Sequence, residues 1–122
     1  MITGTHAIIY AEDAEKARAF FRDVLDLPFV DVHGGGLIFK LPPAELGIHP
    51  TSGPSPAPVS GHHELYLMCD DVKATVAELE SKGVEFTSGI EEQAFGLLTT
   101  FQVPGGGQIG LYQPKHPTAH DL

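Results

Sequence analysis

The chain is poor in cysteine, in basic residues and in long apolar runs. Its single cysteine, Cys69, excludes an internal disulfide framework and is compatible with a reducing compartment. Seven Lys and Arg stand against sixteen Asp and Glu, for a formal net charge of −9. Because nucleic-acid phosphates require a basic surface, we expect no nucleic-acid partner; the negative charge would instead attract a cationic ligand. No segment approaches the roughly 18 consecutive apolar residues of a membrane span, and residues 1–13 lack a signal-peptide pattern, so we expect a cytoplasmic protein without a membrane partner.

Length and composition predict one compact domain, or two half-size modules that share a core. Of the 122 residues, 42% are hydrophobic and 19% are charged, which is typical of a globular protein. Residues 50–62 read PTSGPSPAPVSGH, with four prolines and almost nothing to bury, so they predict a linker. Fully extended, this segment spans roughly 40 Å, enough to cross a small domain or to pass one half to a neighbouring subunit.

The same order of elements is predicted on both sides of the linker: strand, helix, three strands. An Asp stands at each predicted helix start, Asp13 before a helix that runs to about Leu25 and Asp71 before a helix that stops at Gly83. FKLP (39–42) is echoed by FQVP (101–104), and ELGIHP (45–50) by IGLYQP (109–114). Short runs bounded by Gly, Pro or polar residues predict strands at 5–11, 29–32, 36–42, 44–50, 62–70, 84–88, 95–104 and 108–114. We therefore divide the chain into a first module (1–50), a linker (51–61), a second module (62–114) and a polar tail (115–122).

Three longer stretches carry a resemblance to a known family: HAIIYAEDAEKARAFFRDVLDLP near the start, ELYLMCDDVKATVAELESKGVEF after the linker, and VPGGGQIGLYQP near the end. The chain resembles the vicinal oxygen chelate superfamily of glyoxalases, bleomycin-resistance proteins, extradiol dioxygenases and methylmalonyl-CoA epimerases. The resemblance implies an α+β fold of two tandem βαβββ modules, whose curled mixed sheets form a cup with the helices on the outer face. It also implies a homodimer, since short chains of this family are often dimeric, sometimes with exchanged modules.

Strand alternation predicts which side chains face the cup. Ala7 and Ile9 share one face of the first strand, as Leu65 and Leu67 do in the fifth, and these apolar faces should pack on the helices. The residues on the opposite faces, together with their counterparts in the last strand of each module, are expected to contact a ligand: His6, Tyr10, Glu64, Tyr66, Met68, Gly47, His49, Gly110 and Tyr112. The two glycines permit two interpretations, strand curvature or room for a bulky ligand.

The resemblance also implies where a metal ion would bind. In metal-dependent members the first and fifth strands each begin with a ligand, and these positions fall on His6 and Glu64. The last strand of each module supplies another ligand, but in the second module this position falls on Gly110, which has no side chain to coordinate an ion. In the first module it falls on Gly47 by face matching, or on Glu45 if the local EL pair is aligned. The candidate ligands for a divalent Fe, Mn, Ni or Zn ion are therefore His6, Glu64, Glu45 and His49.

Two functions follow, and whether the chain is an enzyme stays open between them. The leading hypothesis is a small-molecule binding protein of the bleomycin-resistance type, which sequesters a planar or cationic molecule such as an antibiotic without chemistry. Glycine at 110, the negative charge and the tyrosines of the cup motivate it. The alternative is a metal-dependent lyase, isomerase or extradiol-type dioxygenase, in which the ion acts as a Lewis acid and Glu64 or Glu45 as the base.

Overall fold

Both predicted helices form, and each begins where the sequence predicts. The computed structural model describes residues 1, 3–32, 34–51 and 59–122, so most of the linker predicted at 51–61 lies outside the described residues. Helix α1 spans Ala14–Asp23 and helix α2 spans Val72–Ser81. The carboxylates of Asp13 and Asp71 each accept a hydrogen bond of 3.1 Å from the backbone N–H three residues ahead. Both N-caps are therefore confirmed.

The two helices also end alike. After α2, Gly83 takes the left-handed conformation at a φ of 87°, as expected of a C′ glycine. After α1 the corresponding turn is made by Asp26, at a φ of 55°. Because Asp adopts this conformation at some steric cost, it carries no strong sequence signal, and α1 ends before the predicted Leu25.

The chain divides into two compact units, the first formed by Met1–Lys40 with Gln102–Gln108. In this unit strands β1 (Phe29–Asp31) and β2 (Leu37–Phe39) form an antiparallel hairpin. The ring of Phe39 lies 5.8 Å from that of Phe21, one of the buried residues of α1. The backbone N–H of Asp13 donates to the carbonyl oxygen of Gly105 at 3.0 Å, in the turn of the VPGGGQ segment (103–108). Packing in this unit thus rests on one helix, one hairpin and one turn.

The second unit comprises Leu41–Phe101 and Ile109–Leu122 and contains most of a four-stranded sheet in the order β3–β6–β5–β4. These strands are β3 (Tyr66–Met68), β4 (Glu91–Gln93), β5 (Gly96–Val103) and β6 (Gly107–Pro114). Strand β3 is parallel to β6, and β4 is antiparallel to β5. The core contains the buried side chains of Val72, Leu79, Val84, Phe101, Ile109 and Leu111. The amide oxygen of Gln113 accepts from the backbone N–H of Val72 at 2.9 Å, which joins the start of α2 to β6.

Two of the predicted strands are not strands in the isolated chain. Residues 5–11 and 44–50 have no ladder partner among the described residues, and their apolar side chains are exposed, as with Ile48 at 88%. The strand predicted at 84–88 is reduced to one antiparallel bridge between Phe86 and Phe101. Alternation of side chains can make a segment suitable for a sheet, but a strand forms only where another edge supplies hydrogen-bond partners.

Two α-helices and two sheets among the described residues give a mixed α+β fold, which confirms the predicted class. Both sheets are open, and the tandem modules and the cup remain predictions. Within the described part of the chain, no helix has the length and apolar character needed to cross a membrane.

Candidate functional site

Four of the predicted site residues lie together on two neighbouring strands. Where β3 and β6 run side by side, the register pairs Tyr66 with Gly110 and Met68 with Tyr112. The backbone N–H of Gly110 donates to the carbonyl oxygen of Leu65 at 3.0 Å, which fixes this register. Residues that are far apart in sequence are therefore adjacent along this part of the sheet.

The ring of Tyr66 lies over Gly110. A β carbon on residue 110 would lie 2.8 Å from Cγ of Tyr66 and closer still to Cδ1 and Cε1. Since side chains do not pack at such distances, any larger residue at 110 requires the ring of Tyr66 to move away. The ring of Tyr66 therefore occupies the space beside Gly110, and the two interpretations of this glycine, strand curvature or room for a bulky ligand, stay predictions.

Tyr112 is the centre of a group of five rings, which we call the aromatic cluster: His49, Tyr66, Phe95, Tyr112 and His116. The centroid of Tyr112 lies 6.3 Å from that of Tyr66, 6.1 Å from Phe95 and 5.8 Å from His116. His49 joins through Phe95, at 6.4 Å. The Tyr112 hydroxyl donates to the carbonyl oxygen of Phe95 at 2.9 Å, which fixes the central ring. A β carbon at Gly96 would lie 2.5 Å from Cε1 of Tyr112, so this glycine also makes room for a ring.

Carboxylates surround the aromatic cluster. Partial burial, together with the negative charges of Glu64 and Glu91, raises the pKa of Tyr66 above its ordinary value. Partial burial and the charge of Glu45 raise the pKa of Tyr112 in the same way. Both phenols therefore stay protonated at neutral pH, and the field at their rings favours a positive charge.

Glu45, a predicted base or metal ligand, is engaged by the end of the chain. Its Oε2 accepts from the backbone N–H of Ala119 at 2.8 Å, and its Oε1 lies 3.7 Å from Nε2 of His116. Only 17% of the Glu45 side chain is exposed. The carboxylate thus caps the 3₁₀ turn Ala119–Asp121 instead of facing an open site.

Glu64, the other candidate base, lies in an exposed pair with His62, whose Nε2 is 3.3 Å from Oε2 of Glu64. This places both side chains on the same side of the chain, as alternation predicts. His6 and Tyr10 belong to the first unit and are exposed, Tyr10 at 90%. Their assignment to a ligand site stays a prediction.

The residues do not fit a metal centre within either unit. Among residues 1, 3–32, 34–51 and 59–122, no three His, Cys, Asp or Glu side chains lie close enough to share an ion. The ring of Tyr66 occupies the space where a ligand at residue 110 would start, and Glu45 is already bonded to a backbone N–H. A catalytic divalent ion usually takes three or more protein ligands, and the described residues of neither unit bring three together.

Sequence reasoning missed Phe95, Gly96 and His116. The EEQAFG segment (91–96) forms strand β4 and the turn that carries Phe95, and His116 belongs to the segment predicted as a polar tail. An aromatic residue followed by glycine in a tight hairpin was the available signal for Phe95. No local signal marks His116: Tyr112 is only four residues away, but the contact with Glu45 joins distant parts of the sequence.

The profile of the Glyoxalase/Bleomycin resistance protein/Dioxygenase superfamily matches residues 5–111, which is most of the chain. The chain belongs to this superfamily. TnmS3, an antibiotic binding protein from Streptomyces sp. CB03234, is 26% identical over 93% of this chain and 98% of its own, with a TM-score of 0.65. A superfamily member from Sphaerobacter thermophilus DSM 20745 is also 26% identical, over 92% and 98% of the two chains, with a TM-score of 0.63.

Lactoylglutathione lyase from Agrobacterium tumefaciens shares the fold, at 20% identity over 91% of this chain and 96% of that one, with a TM-score of 0.59. No curated protein sequence matches the chain. Since this superfamily includes both binding proteins and enzymes, its fold alone does not assign a function.

Proposed function

We propose that the chain is a small-molecule binding protein of the bleomycin-resistance type, which binds a planar, cationic ligand at the aromatic cluster and does not transform it. An antibiotic is the natural candidate, since TnmS3, one of the similar proteins, is described as antibiotic binding. The observation that carries the proposal is the ring of Tyr66 over Gly110. Where a metal-dependent relative would place a carboxylate, this chain has an aromatic surface.

The composition of the cluster supports a flat, positively charged ligand. Rings that meet edge to face, as Tyr66 and Tyr112 do at 71°, leave flat faces on which another π system stacks. Glu45, Glu64 and Glu91 add negative potential at these tyrosines. Cation–π attraction and this potential favour the same class of ligand.

The proposal is tested by calorimetric titration with bleomycin and with two planar dyes of opposite charge, ethidium as the cation and fluorescein as the anion. We expect ethidium to bind at least about tenfold more tightly than fluorescein, because stacking serves both dyes but the charge favours only one. Tyr66→Ala should weaken ethidium binding by about tenfold, whereas His63→Ala should leave it unchanged, because alternation predicts His63 on the opposite face of the segment. Absence of heat with bleomycin and with ethidium would contradict the proposal.

The alternative is a metal-dependent lyase, isomerase or extradiol-type dioxygenase. What favours it is the His62–Glu64 pair, two side chains of ligand type whose polar atoms lie 3.3 Å apart. Elemental analysis of protein purified without chelators separates the two proposals. Stoichiometric Fe, Mn, Ni or Zn that is lost in Glu64→Ala and in either His62→Ala or His6→Ala would favour the enzyme over the binding protein.

The proposal includes a homodimer with two complete βαβββ modules. A hairpin of two strands is marginal by itself, and the first unit leaves Ile8 and Tyr10 exposed, while Leu46 and Ile48 are exposed at 85% and 88%. A second copy that offers a sheet edge to residues 5–11 and 44–50 would give their backbones partners, cover these side chains and complete the predicted cup.

Light scattering on a size-exclusion column tests the dimer. We expect twice the chain mass, and we expect Leu46→Glu combined with Ile48→Glu to give a monomer, since two buried charges would oppose the contact. Val59→Glu is the matched control, because Val59 is an equally exposed apolar residue outside these segments. A monomer for the unaltered chain at micromolar concentration would contradict this part of the proposal.

A further inference from the structure

We propose that residues 115–122, which we call the strap, complete the ligand site, with His116 as a stacking surface beside Tyr112 and Glu45 as the residue that positions it. This inference rests on the proposed binding function and extends it to a segment whose sequence predicts a polar tail. Three sets of contacts support it: those of Lys115, those of His116 and those of the 3₁₀ turn that begins at Ala119.

The strap begins at a fixed point on the β4–β5 hairpin. The backbone N–H of Lys115 donates to the carbonyl oxygen of Phe95 at 2.9 Å, and its Nζ lies 2.5 Å from Oε1 of Glu92. The same carbonyl oxygen also accepts the hydroxyl of Tyr112. One acceptor thus holds both the central ring of the aromatic cluster and the start of the strap.

The far end of the strap is bonded to Glu45. The carboxylate accepts the backbone N–H of Ala119, while the Thr118 hydroxyl donates to the carboxylate of Asp121 and closes the 3₁₀ turn. A mostly buried carboxylate that caps a turn is a specific contact, since its loss would leave a charged group without its hydrogen bond. Glu45 therefore determines where the strap lies.

Between these ends, the imidazole of His116 lies against Tyr112 at an angle of 33°, the most nearly parallel contact of the cluster. Its Nδ1 donates to the carbonyl oxygen of Pro117 at 2.7 Å, which fixes the orientation of the ring. The side chain is 38% exposed, so part of it remains open while the rest is covered. A planar ligand that stacks on this cluster would contact His116 as well as the sheet residues.

One polar atom of the strap lacks a hydrogen-bond partner among the described residues. Nδ1 of His120 is shielded from solvent and has no hydrogen-bond partner among the described residues. A buried polar atom without a partner lowers the stability of this conformation of the strap. A ligand that stacks on His116 would add contacts that stabilise this conformation of the strap.

The first test needs no ligand. The chain has three tyrosines and no tryptophan, so Tyr10→Phe combined with Tyr66→Phe leaves Tyr112 as the only tyrosine for an ultraviolet pH titration. In this background Glu45→Ala should lower the pKa of Tyr112, because it removes a neighbouring negative charge and releases the strap that covers the ring. Glu64→Ala is the control, since Glu64 contributes to Tyr66 and not to Tyr112. An unchanged pKa in Glu45→Ala would overturn the proposal.

The second test measures the rate at which ethidium leaves the otherwise unaltered chain. Glu45→Ala and His116→Ala should each increase this rate by about tenfold, the effect expected of one lost aromatic contact, whereas His116→Phe should restore the slow rate. A rate unchanged in His116→Ala, with binding still weakened by Tyr66→Ala, would overturn the strap alone. No binding of ethidium or bleomycin by the unaltered chain would overturn the proposed function together with it.

Discussion

The two halves of the chain have nearly identical helices and very different sheets. Helices α1 and α2 are each ten residues long, each begins after an Asp and each is followed by a left-handed residue. The second half contributes to a four-stranded sheet, whereas the first half has a two-stranded hairpin and two segments, 5–11 and 44–50, without a ladder partner in the part of the chain that the structure describes. Sequence features that act within a few residues, such as helix caps, thus have the same effect in both halves. The larger sheet, which needs distant strands as partners, forms in only one half.

The difference in burial is largest at the segments that end the two predicted modules. In the second half Ile109 and Leu111 are buried on β6, between β3 and β5. In the first half the apolar side chains of Leu46 and Ile48 are exposed, although the two segments alternate in the same way. Alternation determines which side chains share a face, but those side chains are buried only where the strand belongs to a sheet that packs on the core.

Replacing the matched phenylalanines Phe39 and Phe101 should give the largest effect. Phe101 is fully buried, so Phe101→Ala should lower the free energy of unfolding by about 3–5 kcal/mol. Phe39 is only half-buried in its hairpin, and Phe39→Ala should cost about half as much. Urea denaturation of dilute protein measures both. Equal losses would contradict this difference between the halves and would favour coverage of the first half by a second copy in solution.

Replacing Gly47 or Gly110, the glycines near the ends of the two predicted modules, by alanine should have a smaller effect on stability. Gly110→Ala forces the ring of Tyr66 away and should cost about 1–3 kcal/mol, with a change in tyrosine fluorescence. At Gly47→Ala the new β carbon would lie 3.3 Å from Nε2 of His49, an exposed side chain that can move, so we expect a change within about 0.5 kcal/mol. Similar small losses at both positions would show that Tyr66 is not held over Gly110.

The helix caps should give the smallest and most nearly equal effects. Asp13→Ala and Asp71→Ala should each cost about 1 kcal/mol, because each removes one hydrogen bond to an otherwise free backbone N–H. Asp→Asn at the same positions is the control, since Asn also caps well. Urea midpoints provide the measurement, and a clear inequality between the two Ala variants would mean that the helices are less alike than their caps indicate.

The candidate site was predictable in its strands and not in its loops. The resemblance placed Tyr66, Gly110 and Tyr112 on strands that face one hollow, and the structure pairs these strands. Phe95 and His116 were missed, because a turn and a tail carry no periodicity that would aim a side chain. Glu45 was predicted as a base or a ligand, but its partner Ala119 is 74 residues away, and sequence spacing gives no access to such a contact.

Both helices, their caps, the acidic charge and the family can be predicted from the sequence, since each depends on residues close together, on composition or on the order of elements. The position of Tyr66 over Gly110 and the contact of the strap with Glu45 depend on the tertiary structure. These outcomes depend on which backbone edges and which volumes meet. Local sequence can favour a conformation, but the residues that contact the segment come from distant parts of the chain.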